Sequence, residues 1–145
     1  MTKLFVALLL SSQLFCASFY TLDNVNSLSL YMKIEADFIT PDIKDKIKKV
    51  VLQKLKKAGF IFGEVDASTF MVQIYAMEIE GSQAIYIQIG LAEDVITKRK
   101  GKIETFAFTY LADKFIEGYE PYSDTLEAVG FLVDEFIRAH QDDNE

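Results

Sequence analysis

Residues 69–91 read TFMVQIYAMEIEGSQAIYIQIGL, and their period decides the fold. From Thr69 to Ile79, and again from Ala84 to Leu91, side chains alternate in character with a period of two. That is the mark of a strand with two different faces. Gly81-Ser82 between the two runs supplies a hairpin-type turn. Phe70, Val72, Ile74, Ile85, Ile87 and Ile89 fall on one side of the pair. Met71, Gln73, Tyr75, Met77, Tyr86 and Gln88 fall on the other.

Working outward, Ser27–Phe38 alternates in the same way. Leu28, Leu30, Met32 and Ile34 join the apolar side, while Tyr31 and Lys33 join the mixed side. A well-punctuated helix follows. Thr40 suits its N-cap, Pro41 its first position and Gly59 its stop, and Ile43, Ile47, Val50, Val51, Leu55 and Ala58 recur at helical spacing. Phe60–Phe62 reads as a short strand. Glu104–Leu111 reads as a further strand, with Phe106 and Phe108 on the apolar side and Thr105 and Thr109 on the mixed side. After a turn near Gly118–Pro121, Asp124–His140 forms a final helix capped by Ser123, and the polar tail Gln141–Glu145 is expected to fray.

Short turns between consecutive strands favour antiparallel pairing. Two amphipathic helices are enough to cover one side of the sheet. The expected fold is therefore α+β: a two-layer sandwich, mostly antiparallel, with two helices on one face. Half the chain is apolar, with 12 Phe and 7 Tyr, so one domain over 19–145 can bury a real core.

The uncovered side of the sheet is the main functional expectation. A set of Tyr31, Met71, Tyr75, Met77 and Tyr86 is too polar for a dry core and too apolar for an idle surface. It reads as a binding face for a protein or an envelope component. The alternative is a face covered by the segment Phe19–Asn26, by a loop, or by a second copy in a homodimer. A small-molecule or lipid carrier is the other functional reading, with its ligand between sheet and helices.

The formal net charge of −7 hides a segregation. Lys44, Lys46, Lys48, Lys49, Lys54, Lys56 and Lys57 crowd the first helix, while acids dominate from Asp113 onward. The lysine helix suits an anionic surface, or else a solvated face that balances the acidic final helix. Lys98, Arg99, Lys100 and Lys102 cluster at a Gly101 turn and form a candidate anion-binding loop. The acidic total argues against nucleic acid as a partner.

The first residues read as an export signal. Lys3 is the basic start, Leu4–Leu10 the apolar core, and Cys16 and Ser18 the small residues before a cut, giving a signal peptide over 1–18. Ser11, Ser12 and Gln13 interrupt the run too early for a membrane span. Gln13 and Phe15 stand where lipoprotein signals carry Leu and a small residue. Cleavage to a periplasmic or secreted protein is therefore the expectation, and a lipid anchor on Cys16 the alternative.

Chemistry is sparse. His140 is the lone histidine and is placed in a last helical turn, as a surface residue. No nucleophile elbow, zinc motif, phosphate loop or dinucleotide fingerprint appears. A grouping of Glu78, Glu80, Glu93 and Asp94 at strand ends is the one acid/base or Ca²⁺ alternative. The expectation is a non-enzyme without metal or cofactor.

Leu55-x-x-Ala58-Gly59-Phe60, followed by Val65-Asp66-Ala67-Ser68-Thr69-Phe70-Met71-Val72-Gln73-Ile74, resembles the lipopolysaccharide-assembly lipoprotein group and related envelope lipoproteins. The resemblance runs in rhythm from Leu28 to Ile79. It implies a strand–helix–strand–meander–helix envelope protein and carries over no functional residue. The residues around Cys16 depart from that group's pattern.

Overall fold

The computed structural model describes residues 21–145. The expected signal peptide and Cys16 lie outside the described residues. The elements run β1 (Ser27–Glu35), α1 (Pro41–Lys57), β2 (Ile61–Phe62), β3 (Ser68–Ile79), β4 (Ser82–Ile96), β5 (Glu104–Gly118) and α2 (Pro121–Asn144). The strands form one sheet in the order β2-β1-β3-β4-β5. The fold is α+β, as the alternation implied, but the sheet is mixed. β3, β4 and β5 form an antiparallel meander, whereas β1 pairs parallel with both β2 and β3. The reason is α1: a whole helix between β1 and the next strands returns the chain to the end where it started, so the strands it links run the same way.

Local chemistry sets the boundaries. Pro41 opens α1, whose Lys44 N–H donates to the Thr40 carbonyl at 2.9 Å, while the Thr40 side chain makes no cap bond. Gly59 takes a φ of +102°, which ends the helix and directs Phe60 into the core. The β3–β4 hairpin turns one residue earlier than expected. Glu80 (φ +50°) and Gly81 (φ +85°) are its two central residues, both left-handed as a tight type I′ turn demands, and Ser82 already belongs to β4. α2 starts before Ser123. Pro121 sets its first turn, the Asp124 carboxylate accepts the Glu120 N–H at 3.1 Å, and the Ser123 hydroxyl donates back to the Glu120 carbonyl at 3.3 Å.

The core lies between the sheet and the helices. Ile47, Val51 and Leu55 of α1 and Val129, Val133 and Phe136 of α2 have zero exposure, as have Phe70, Val72, Ile74, Ile85, Ile87, Ile89 and Leu91 below them. Phe136 is the hub, with ring centroids 4.9 Å from Phe70, 5.2 Å from Tyr110 and 5.6 Å from Phe60. α1 and α2 meet through Lys54, whose ammonium lies 2.7 Å from the Asp134 carboxylate.

The tail expected to fray is helical and clasps the start of the domain. Leu22 N–H donates to the Asp143 carboxylate at 2.6 Å, and Asn144 exchanges bonds with Asn24 N–H and the Leu22 carbonyl. Leu22 and Val25 are buried by this clasp. His140 is part of it rather than a plain surface residue. Its Nε2 is 2.7 Å from the Val25 carbonyl, which can only accept, so that nitrogen carries the proton. Its ring packs 4.6 Å from Phe60. Residues 21–26 therefore pack on α2, and among the described residues the other side of the sheet is open; Phe19 and Tyr20 of the segment expected as a cover lie outside the described residues.

Candidate functional site

Strand register assembles the open face row by row. Tyr31 of β1 pairs with Met71 of β3, which pairs with Gly90 of β4 and then Leu111 of β5. The next row is Lys33, Gln73, Gln88 and Asp113. The third is Glu35, Tyr75, Tyr86 and Phe115, and Met77 follows beside Ala84 and Glu117. All five residues expected to form the binding face, Tyr31, Met71, Tyr75, Met77 and Tyr86, are thus on one surface opposite the helices. Tyr31 is 50% exposed and Met77 64%.

The face is more aromatic than the alternation suggested, because β5 carries a bulge. Leu91 pairs with Tyr110, but the next residue, Ala92, pairs with Phe108, so Thr109 is an extra residue on β5. One extra residue inverts every side chain beyond it. Tyr110 consequently points to the core against Phe136, while Phe106 and Phe108 turn to the open face, 59% and 41% exposed. Their expected place under the helices is corrected by this inversion, as is the expected place of Thr105 and Thr109 on the open face. The Thr109 hydroxyl instead donates to the Glu93 carboxylate, whose other oxygen accepts from Ser68 Oγ at 2.5 Å. Glu93 pins the bulge.

Gly90 has a positional role here. A Cβ built on it would come within 2.8–2.9 Å of the Phe108 and Leu111 side chains, so those two residues close over its bare backbone. Phe115, 67% exposed, completes the aromatic set. Phe106, Phe108, Leu111 and Phe115 are the face residues that sequence reasoning missed. Phe115 lay beyond the expected end of its strand, and no residue type marks Thr109 as the bulge.

Electrostatics add polarity to the face. Lys33 Nζ sits 2.9 Å from Glu35 and 5.3 Å from the centre of the Tyr75 ring. The Glu35 carboxylate, and after it the Tyr75 hydroxyl, hold this ammonium above its ordinary pKa. The Tyr86 hydroxyl accepts from Gln88 Nε2 at 3.0 Å. Partial burial first, and the nearby Asp113 carboxylate second, raise the Tyr86 pKa above its ordinary value.

Lys98, Arg99, Lys100 and Lys102 are all exposed at the tip of the β4–β5 hairpin. The Lys102 N–H donates to the Arg99 carbonyl at 3.0 Å, and the Thr97 N–H to the Ile103 carbonyl at 3.0 Å, so the tip is a defined turn. The fold does not join it to the Tyr/Met set. Lys98 lies twelve strand positions beyond Tyr86, roughly 40 Å along the ribbon. Phe106 and Phe108 occupy the interval. The acidic grouping does not form either. Glu78 and Glu80 stand at the β3–β4 turn, whereas Glu93 and Asp94 stand near the far end of β4. Among the described residues no group of three or more His, Cys, Asp or Glu could hold a metal ion, and no helix is long and apolar enough to cross a membrane.

The chain matches no family model and no curated protein. Among solved structures it is similar to a minor lipoprotein from Acinetobacter baumannii, at 12% identity and a TM-score of 0.34, over 79% of this chain and 91% of that one. The lipopolysaccharide-assembly resemblance stays at the level of sequence rhythm.

Proposed function

We propose that this is an exported, non-enzymatic binding protein of a bacterial envelope that docks a protein or another envelope component on its open sheet face. One observation carries the reading: the aromatic exposure of that face. Tyr31, Phe106, Phe108 and Phe115 are between 41% and 67% exposed. At about 200 Å² per ring-bearing side chain, they alone leave roughly 400 Å² of aromatic surface in water. Met77 and Ile79 add to it, at 64% and 48% exposure. A monomer's largest apolar patch is typically about 300–600 Å² and often functional. Burying it against a partner returns about 25 cal/mol for each Å².

The carrier reading lacks such support. At the centre of the layer between sheet and helices Val51, Leu55, Val129, Phe136, Phe70 and Ile87 have zero exposure and fill the space a ligand would need, and the groove at its β5–α2 edge, lined by Ile116, Phe131 and the acidic Glu120, Asp124 and Glu127, opens to solvent. Catalysis lacks it too, since the carboxylates with the best claim to acid/base work are parted along β4. The export signal over residues 1–18 supplies the envelope part of the proposal.

The test is site-specific photo-crosslinking in cells, with the photoreactive residue placed at Phe115 on the open face or at Lys48 on α1. The proposal expects a discrete cross-linked species from Phe115 only, lost when Tyr75→Ala and Tyr86→Ala are combined in a folded protein. Equal cross-linking from both sites, or survival of the Phe115 product in the double variant, overturns it.

A further inference from the structure

Resting on the docking reading above, we propose that the occupant of the open face is a cationic polypeptide segment, one that carries Lys or Arg beside apolar side chains. The argument is charge complementarity on an aromatic floor. Glu35, Asp94, Glu104, Asp113 and Glu117 project from the open face by strand register, and all five are exposed. Lys33 is the lone base in the same rows, and Glu35 already engages it; the basic tip Lys98–Lys102 adjoins Asp94 and Glu104, so the end of the face remote from positive charge is the one that carries Asp113 and Glu117. Among the described residues Asp94, Glu104 and Asp113 make no ion pair. Exposed rings beside Asp113 and Glu117, at the end of the face away from the basic tip, suit a partner that brings both apolar contact and positive charge.

The molecule also shows how such a group would be held. On the β1 side, Lys33 rests over the Tyr75 ring beside Glu35. Across the same sheet the pattern recurs without its ammonium. Phe115, beside Tyr86, stands between Asp113 and Glu117, its neighbours two positions away along β5. Lys114 cannot fill that place, because it points to the opposite side of the sheet, where its ammonium lies 4.4 Å from the centre of the Phe131 ring. The place between Asp113 and Glu117 is therefore acid, ring and acid, open to a cation from outside. A second copy that set its Asp113–Glu117 end on the same end of this face would bring acids against acids, and an anionic headgroup at that place would be repelled in the same way.

The experiment measures binding of two synthetic amphipathic peptides to the full exported chain by fluorescence anisotropy. Both carry the same leucine pattern; one has Lys and the other Glu at every polar position. The expected result is binding of the Lys peptide only, weakened about tenfold or more by raising salt from low to high ionic strength. Asp113→Lys with Glu117→Lys should weaken it at least tenfold more than Glu127→Lys with Asp142→Lys, a change of equal charge on α2. Equal loss in both variants means diffuse attraction to an acidic protein and overturns the proposal, as does binding of the Glu peptide. Sedimentation showing a dimer that the Asp113/Glu117 reversal does not perturb, and whose open face no longer binds the Lys peptide, overturns it in favour of a second copy. If the Lys peptide fails while cross-linking from Phe115 persists, the cationic partner falls and the docking face stands. If both fail, both fall.

Discussion

Replacing Thr109 by valine removes one hydroxyl while keeping the shape and β-branching of the side chain, so it tests the bulge with little other disturbance. In the structure that hydroxyl donates to Glu93, which keeps only the Ser68 hydroxyl when it is lost. A hydrogen bond to a charged group contributes about 1.5–3 kcal/mol. Glu93 is only partly buried, so water compensates in part and the low end applies, about 1.5 kcal/mol. With a urea m-value of about 1.5 kcal/mol/M, the unfolding midpoint should fall by about 1 M with the slope unchanged. Because the same bond holds the extra residue in place, amide hydrogen exchange at 105–109 should accelerate more than elsewhere in β5. Glu93→Gln alone and with Thr109→Val completes a double-mutant cycle, whose coupling should exceed about 0.5 kcal/mol. A midpoint shift below about 0.3 M, with exchange at 105–109 untouched, would refute the claim that Glu93 pins the bulge.

Phe136→Ala should cost about 3–5 kcal/mol in urea unfolding, since it empties the hub that Phe60, Phe70 and Tyr110 surround; a cost below about 2 kcal/mol would mean the core collapses around the gap. Gly90→Ala should displace Phe108 and Leu111 from above the strand at a cost of only about 1–3 kcal/mol, because both can swing outward into solvent. Weaker docking without unfolding is the expected signature, and unchanged docking with native-like stability would show that the closed arrangement over Gly90 is dispensable. Alkaline pH should destabilise the fold. The pKa values of Lys33, Tyr86 and Tyr110 are all raised in the folded state, by the Glu35 contact for Lys33 and mainly by burial for the two tyrosines. Each contribution is complete below the unfolded value of roughly 10 and is lost as pH climbs through the folded one. Urea midpoints that stay level from pH 8 to pH 11 would contradict this.

Where hydrophobic period and punctuation agreed, the residues spoke plainly. The alternation of 27–38 and 69–91, and Pro41 and Gly59 around the lysine helix, mark elements that the structure contains. The five Tyr and Met residues share a face because a period of two survives along each of their strands. Three things were not legible. Parallel pairing of β1 depends on how α1 returns the chain, which is a matter of topology rather than composition. The far half of β5 hides behind Asp113 and Lys114, charges that look like a loop until one sees Asp113 on the open face and Lys114 held against Phe131. The bulge is silent because Phe106 and Phe108 keep perfect alternation. The way they turn goes with tertiary contacts, the bond from Thr109 to Glu93 and the packing of Tyr110 against Phe136.

The clasp between residues 22–25 and α2 closes the described residues nearly into a ring. Both backbone groups of Leu22 are engaged by the end of α2: its N–H donates to the Asp143 carboxylate and its carbonyl accepts from Asn144 Nδ2. Sequence order is then partly arbitrary to this architecture. A short link from the end of α2 back to Thr21, with a new opening among the exposed residues Lys98–Lys102, would leave every strand neighbour unchanged. A domain of residues 21–145 permuted in this way would open at the hairpin tip, and the corner where Leu22 and Asn144 meet would become continuous backbone.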